Sequence, residues 1–137
     1  MKINKSSSWF MCIFYLFISI SLGGCVTAMQ KKVDAGMEPL GNAELQILFS
    51  KPFEADFVSS ENGRTIMVKY FPDGSQMMEY DSKNDDGSWL ITDGKHCSKW
   101  KSARNGAERC TYWFKMAEGR YEIFNTSGSK IGRVNVR

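Results

Sequence analysis

The sequence has few of the residues on which enzymes and metal sites usually depend. Its 137 residues include a single histidine, His96, and four cysteines, none of them in a Cys-x-x-Cys pair. It has no Gly-x-Ser-x-Gly nucleophile elbow, and the segment from Asp81 to Gly87 misses the EF-hand spacing. We interpret Asp85-Asp86 as a polar hairpin loop and His96 as a surface or half-buried strand residue. We therefore predict a protein that is not an enzyme and that uses no metal and no cofactor.

A run of apolar residues long enough to span a membrane is also missing near the N-terminus. The apolar stretch WFMCIFYLFISISL, residues 9–22, has 14 residues, whereas a spanning helix needs about 20. The stretch matches the apolar region of a secretory signal, which has about 7–15 residues. Lys2 and Lys5 precede it, and the small residues Gly23 and Gly24 follow it. The sequence therefore predicts a signal peptide over residues 1–24.

The residues Leu22-Gly23-Gly24-Cys25 resemble the lipobox of bacterial lipoproteins. The resemblance implies that Cys25 is acylated on its sulfur, becomes the mature N-terminus and attaches the protein to a membrane. One acyl chain anchors only marginally, at about 0.8 kcal/mol per buried methylene, but lipoproteins usually carry three. Val26, where an aspartate would favour the inner membrane, makes the resemblance lean toward the outer membrane. An ordinary cleaved signal and an uncleaved anchor are the alternatives.

The cysteines indicate one disulfide in the mature chain. Cys12 would leave with the signal and Cys25 would take lipid, which leaves Cys97 and Cys110 in an oxidising compartment. A bond between them would close a loop of 12 intervening residues and contribute about 3 kcal/mol. A metal pair is the alternative, but these two cysteines and His96 are too few ligands for a structural zinc site.

The mature chain divides into a lipidated tether, residues 25–40, and a small disulfide-linked β domain, residues 41–137. The tether is predicted because Val26 to Pro39 is polar and shows little periodicity. NAELQILFS, residues 42–50, is predicted to be the one short helix, with Asn42 as its N-cap and Pro52 ending it.

Everything after Pro52 has the pattern of strands and turns. Runs rich in aromatic and β-branched residues alternate with pairs such as Asn62-Gly63, Asp86-Gly87 and Asp93-Gly94. The runs are FEADFV, RTIMVKYF, SQMMEYD, SWLITD, KHCSKWK, RCTYWFKM, RYEIFN and KIGRVNV. We predict a mainly β fold: about eight antiparallel strands in a meander that forms a small barrel or a curved sheet.

The predicted disulfide joins two neighbouring strands. Along each strand, the side chains alternate between the two faces of the sheet. One face carries Cys110, Tyr112, Phe114 and Met116, which we predict to be the core face. The other carries Thr111, Trp113 and Lys115. Trp100 falls opposite to Cys97, so we expect either a bulge or a partly exposed Trp100.

Several of these motifs together resemble the secreted proteins of the domain-of-unknown-function family 995. They are the Ala43-Glu44-Leu45 helix, the Tyr70-Phe71-Pro72-Asp73-Gly74 turn, and the block from Gly87 to Trp100 followed by Cys110. The family pattern is roughly Gly-aromatic-Trp, a turn, Cys-x-x-Trp and a second Cys. Ser88 stands where the family often has threonine. The resemblance covers about residues 42–136 and implies a fold and a compartment, but no activity.

The charge is unevenly distributed along the chain. Residues 26–94 contain 6 basic and 12 acidic residues, whereas residues 95–137 contain 10 basic and 3 acidic ones. A cluster around the disulfide hairpin is a candidate patch for an anionic partner, either lipid headgroups or an envelope protein; it consists of Lys95, Lys99, Lys101, Arg104 and Arg109. The alternative is that acidic and basic strands simply pair across the sheet. We expect no nucleic-acid partner in the cell envelope.

Together these features predict a non-enzymatic lipoprotein of the bacterial cell envelope. Its β domain, tethered to the outer membrane through the lipid on Cys25, would bind a ligand, a protein partner or the envelope itself. The alternative is a periplasm-facing enzyme inhibitor or immunity lipoprotein that uses the loop from Lys99 to Glu108 as a plug. A deep apolar pocket in the barrel would favour small-ligand binding.

Overall fold

A computed structural model describes residues 24–137. The predicted signal peptide lies, except for Gly24, outside the described residues. Two short helices precede eight strands, and a 3-10 turn, Ala103–Gly106, interrupts them between β5 and β6. The elements are α1 (Ala28–Asp34), α2 (Asn42–Leu48), β1 (Phe53–Ser59), β2 (Thr65–Tyr70), β3 (Ser75–Tyr80), β4 (Lys83–Thr92), β5 (Lys95–Trp100), β6 (Arg109–Ala117), β7 (Arg120–Asn125) and β8 (Lys130–Val136).

The strands form a closed antiparallel barrel in chain order. Each strand pairs with the next, and β1 closes the barrel by pairing with both β2 and β8. In β1, for example, Ala55 lies opposite Val68 of β2 and opposite Val136 of β8. Closure leaves no unpaired sheet edge in the barrel. The prediction of an eight-stranded antiparallel meander is therefore confirmed, in its barrel form.

Most of the predicted turns are present, but one is misplaced. Gly63 and Gly94 have φ values of 69° and 67°, as the tight turns at these positions require. The turn between β3 and β4, however, is made by Asp81 and Ser82, with φ values of 46° and 60°. Gly87 lies inside β4, where a Cβ atom would meet the Lys99 carbonyl and the Trp100 ring. The glycine is needed there for close packing rather than for a turn.

The predicted helix is confirmed as α2, but Asn42 is not its N-cap. Gly41 holds the N-cap position, and its N–H donates to the Glu44 carboxylate at 2.8 Å. The Asn42 side chain instead accepts a hydrogen bond from the Gly94 N–H at 2.6 Å, which links α2 to the turn between β4 and β5. Leu45 and Phe49 are fully buried from this side, so α2 closes one end of the barrel.

A second helix, α1, occupies the segment that was predicted to be a tether. The Thr27 hydroxyl caps α1 by accepting a hydrogen bond from the Gln30 N–H at 3.1 Å. The Met29 N–H donates to the Gly128 carbonyl at 3.0 Å, and Lys32 Nζ lies 2.7 Å from a Glu122 carboxylate oxygen. These contacts fasten α1 to β7 and to the turn between β7 and β8. No residue of α1 is buried, and the helix is held by its cap and an ion pair rather than by an apolar face. Its sequence therefore shows no apolar periodicity.

The prediction of which face of β6 forms the core was wrong. Thr111 and Trp113 point into the barrel, where the Trp113 indole N–H donates to the Thr111 hydroxyl at 3.1 Å. Phe114 packs on the outer face against Phe124, with ring centroids 5.2 Å apart, and both are buried. Tyr112, Phe114 and Phe124 share this face by register. A fully buried aromatic side chain lies on each face of β6, Trp113 inside and Phe114 outside, so apolarity does not distinguish the inner face from the outer one.

The predicted disulfide is confirmed, and it lies on the outer face of the barrel. Cys97 of β5 and Cys110 of β6 are directly opposite each other in register and are bonded. Trp100 points to the other face, as the alternation predicts, but it is buried rather than partly exposed. No bulge in β5 is needed, because Trp100 belongs to the barrel interior.

Candidate functional site

The barrel interior contains a cavity of about 230 Å³. Its lining is mostly apolar, with side chains from β1, β2, β3, β7 and β8 such as Phe57, Ile66, Met78, Ile123 and Val134. Trp100 and Trp113 contribute two indole rings. The polar lining residues are few: His96, Ser98, Arg104, Arg109 and Thr111. A mostly apolar cavity with a few convergent polar groups is the usual composition of a small-molecule site.

A cluster of aromatic rings forms the floor of the cavity, at the end that α2 closes. Phe49 lies at its centre, with ring centroids 4.7 Å from His96, 5.0 Å from Tyr70 and 5.4 Å from Trp113. Trp89 packs against Phe49 in a tilted arrangement, with the ring centroids 4.8 Å apart. Tyr70, His96 and Trp113 also line the cavity, whereas Phe49 and the residues of α2 do not, so the cavity lies beyond these rings as seen from α2.

His96 is part of this floor, which corrects its predicted position at or near the surface. It is 4% exposed, and burial lowers the pKa of its imidazole to about 3. Its ring is therefore neutral at physiological pH. Within residues 24–137, Nε2 is buried without a hydrogen-bond partner. A neutral imidazole in a cavity wall offers a ligand one donor and one acceptor.

Two arginines form the cavity mouth, which we define as Ser98, Arg104 and Arg109. Arg109 lies opposite Ser98 in the pairing of β5 with β6, two positions along β5 from His96 and away from α2. Arg104 Nη2 donates to the Ser98 carbonyl and hydroxyl oxygens, both at 3.3 Å. Its Nε is buried without a partner, and neither guanidinium forms a salt bridge with any of residues 24–137.

The two arginines at the mouth repel each other. Burial lowers the pKa of Arg104, and the positive charge of Arg109 lowers it further. The backbone of Arg104 is also in the left-handed region, with φ 54°, and so is that of Asn105, with φ 53°. A left-handed residue other than glycine costs about 1 kcal/mol. The chain therefore holds Arg104 at the mouth against both its charge and its backbone preference.

A buried carboxylate fixes the loop that carries Arg104. This arginine loop is residues 101–108. Asp85 of β4 accepts hydrogen bonds from the Ala103 N–H at 2.8 Å and the Ser102 N–H at 3.1 Å. Burial raises the pKa of Asp85, but these N–H donors outweigh it and hold the pKa below its ordinary value. Asp85 was predicted to lie in a polar hairpin loop. It is instead the anchor of the arginine loop.

The structure divides the predicted basic patch between two places. Arg104 and Arg109 meet at the cavity mouth. Lys95 and Lys99 are on the outer face of β5, where the Lys95 ammonium lies 5.9 Å from the Tyr112 ring centroid, and Lys101 is exposed. The sequence indicated the positive charge, but only the barrel register shows that two of the five residues line a cavity.

Among residues 24–137, the cysteines do not form a metal site. Cys97, Glu108 and Cys110 place potential ligand atoms within 4.8 Å of one another, but both sulfurs are used in the disulfide. A disulfide sulfur is not a thiolate and does not coordinate zinc as one. Cys25, the predicted lipidation site, is exposed and is not disulfide-bonded to any of residues 24–137.

Comparisons with known proteins give no relative from which a function could be transferred. No family model matches the chain, and neither the curated proteins nor the solved structures provide a match. The resemblance to the domain-of-unknown-function family 995 therefore stays a prediction, as does the lipobox. From Gly24 to Arg137, no helix is both long and apolar enough to cross a membrane.

Proposed function

We propose that this protein is a non-enzymatic lipoprotein of the bacterial envelope whose barrel binds a small, largely apolar ligand. The cavity of about 230 Å³ carries the proposal. Eight-stranded barrels either fill their interior with side chains or hold one small ligand. In this barrel the rings around Phe49 pack the end next to α2, and the cavity beyond them is available to a ligand.

The size of the cavity limits the ligand. An apolar cavity of about 150 Å³ is large enough for benzene. One water molecule takes about 30 Å³ of liquid volume, and a methylene group is of similar size. The cavity therefore accommodates about eight non-hydrogen atoms, such as a short alkyl chain or a small ring system. This is smaller than a whole membrane lipid, so the ligand is a small molecule or one end of a larger one.

The position of α1 supports an orientation in which the cavity mouth lies next to the membrane. Thr27 packs against the Gly128 turn, which joins β7 to β8. That turn lies at the mouth end of the barrel, because β6 runs away from the mouth at Arg109 and β7 returns. Cys25 is two residues before Thr27, a reach of about 7 Å. A lipid on Cys25 would therefore hold the mouth next to the bilayer, in the outer membrane if the lipobox resemblance is followed.

The alternative function, inhibition of an enzyme by the loop from Lys99 to Glu108, lacks an observation of its own. Asp85 fixes this loop by two backbone hydrogen bonds, and Arg104 turns toward the barrel. An inhibitory plug would more naturally present its side chains outward. Inhibition stays a prediction, and ligand binding is the function that we propose.

Blocking the cavity tests ligand binding. The indole N–H signals of Trp100 and Trp113 report on occupancy, because both rings line the cavity. In nanodisc-reconstituted protein, 1-octanol should shift these signals in the wild type but not in Ala103→Trp, whose new ring would fill the mouth side of the cavity. Ala107→Trp, an exposed position in the same loop, is the matched control and should bind as the wild type does. An unresponsive wild-type protein would contradict the proposal.

Labelling with radioactive palmitate tests the anchor separately. We expect the label to be incorporated into the wild-type protein and to be lost in Cys25→Ser, whose precursor should also remain unprocessed. Cys12→Ser is the control, because that residue lies in the predicted signal peptide. Palmitate incorporation that persists in Cys25→Ser would refute the assignment of Cys25 as the lipid attachment site.

A further inference from the structure

We propose that the ligand of the barrel is an amphipathic anion, whose apolar tail enters the cavity and whose anionic head lies between Arg104 and Arg109. This inference rests on the proposed ligand binding and specifies its chemistry. It is carried by the juxtaposition of an apolar cavity with two guanidinium groups at its mouth that have no acidic partner in residues 24–137.

Arg104 and Arg109 have no acidic partner among residues 24–137. Every acidic side chain that forms a salt bridge in residues 24–137 pairs with another cation, for example Glu122 with Lys32 and Lys130, and Asp56 with Arg137. Glu108 lies next to Arg109 in the sequence, yet it forms no salt bridge with it. Arg104 is half-buried and Arg109 is exposed beside it, and a partly buried charge that remains unpaired is costly. Two arginines at one mouth therefore form a binding site for an anion that the described chain does not itself provide.

The N–H donors of Arg104 are arranged to bind an oxyanion. Arginine presents a planar fork of N–H donors that matches the oxygens of carboxylate and phosphate groups. Arg104 uses Nη2 for the Ser98 oxygens at 3.3 Å, while its Nε remains buried without a partner. This Nε–H is a donor that an oxyanion at the mouth would satisfy. Ser98 holds the guanidinium in position without neutralising it.

The backbone of the arginine loop is strained at Arg104 and is fixed by Asp85. Arg104 and Asn105 both adopt left-handed backbone conformations, and Asp85 pins the residues just before them. Backbone strain that the surrounding structure maintains is found preferentially at ligand sites. Here the strain has one evident effect, which is to bring the Arg104 side chain over the cavity rather than into solvent.

The experiment compares ligands that share a tail and differ in the head. The full-length protein, purified from membranes and reconstituted in phosphatidylcholine nanodiscs, is titrated with octanoate, octyl phosphate and 1-octanol. Binding is followed by the indole N–H signals of Trp100 and Trp113, with Trp89, which does not line the cavity, as reference. We expect at least one anion to bind about tenfold or more tightly than octanol, because hydrogen bonds to charged groups are strong. The tighter of the two anions identifies the head as carboxylate or phosphate.

Substitutions then assign the effect to the mouth. Arg109→Met and Arg104→Met should each reduce anion binding by about tenfold, so that the preference for the anion over octanol is largely lost. Lys99→Met is the matched control, because it removes a positive charge from the outer face of the same hairpin. Arg104→Lys keeps the charge but loses the fork, and it should bind the anion less tightly than the wild type. Using two independent arginine variants keeps the test valid if one of them is poorly folded.

The outcomes separate this inference from the proposed function. If octanol binds as tightly as both anions, the barrel binds apolar ligands and the anionic head is refuted. If the arginine variants bind the anion as the wild type does, the mouth assignment is refuted. If no probe shifts the Trp100 and Trp113 signals, the proposed ligand binding fails and this inference fails with it.

Discussion

His96, the single histidine of the sequence, allows a sharp test of how the barrel interior is packed. Its ring lies against Phe49, Tyr70 and Trp113, with centroids 4.7, 5.6 and 5.4 Å away. Burial lowers its pKa from an ordinary value of 6.5 to about 3. The folded protein therefore keeps the imidazole neutral across most of the accessible pH range, whereas the unfolded chain binds a proton below pH 6.5.

The sign and size of the effect follow from proton linkage. Since the folded pKa lies below the unfolded one, the unfolded state binds more protons, and the free energy of unfolding decreases as the pH falls from about 6.5 toward 3. One pKa unit corresponds to about 1.4 kcal/mol. Between pH 7.5 and pH 5 the loss from His96 is therefore about 2 kcal/mol. Any folded pKa below about 4 gives the same loss in this window, because the buried ring stays neutral at pH 5.

Urea unfolding followed by tryptophan fluorescence, at pH 7.5 and at pH 5, measures this loss. His96→Phe keeps a ring at the position and removes the titration, so its free energy of unfolding should fall by about 2 kcal/mol less than that of the wild type. Carboxylates titrate mostly below this window, since their unfolded pKa values are about 4. The imidazole C–H NMR signal of the folded protein should not titrate between pH 5 and pH 8. A midpoint near 6.5, or an equal pH dependence in His96→Phe, would refute the buried placement.

Three further predictions concern the contacts that shape the barrel. Asp85→Asn should destabilise the protein by about 1.5–3 kcal/mol and raise amide exchange in the arginine loop; unchanged exchange would contradict its anchoring role. Gly87→Ala should cost about 1–3 kcal/mol, measured by urea unfolding, because the added methyl group would meet the Trp100 ring; a neutral effect would show that the packing is looser. Joint replacement of Cys97 and Cys110 by alanine should lower the unfolding free energy by about 3 kcal/mol, and no change without reductant would argue against the bond.

The strand number and order were predictable because turn chemistry is local. Asn62-Gly63 and Asp93-Gly94 mark hairpins through residues that tolerate positive φ, and the structure has turns at both positions. Short connections also leave little choice of topology, since successive strands become antiparallel neighbours. The helix ending at Leu48 was identifiable for a similar reason, because the proline at position 52 and an apolar spacing act over a few residues.

The errors have a common physical origin in contacts between distant parts of the chain. Gly87 looks like a turn residue until Trp100 of the next strand is placed against it. Phe114 looks like a core residue, and it is buried, but by packing on the outside of the barrel. His96 looks like a surface residue because nothing next to it in sequence indicates that α2 will bring Phe49 onto its ring. In each case the partner lies too far along the chain for a periodic pattern to reveal it.

The candidate site also depends on contacts between distant parts of the chain. The sequence therefore indicated its positive charge but not its location. A cluster of cations in sequence is compatible with any exposed hairpin, and three of the five residues, Lys95, Lys99 and Lys101, lie outside the cavity. The cavity lies beyond Phe49 and its neighbouring rings, and Asp85 holds the arginine loop beside it. Arg104 then occupies a left-handed conformation beside another cation, an arrangement that lowers stability. An anion bound at the mouth would relieve the repulsion between the two arginines.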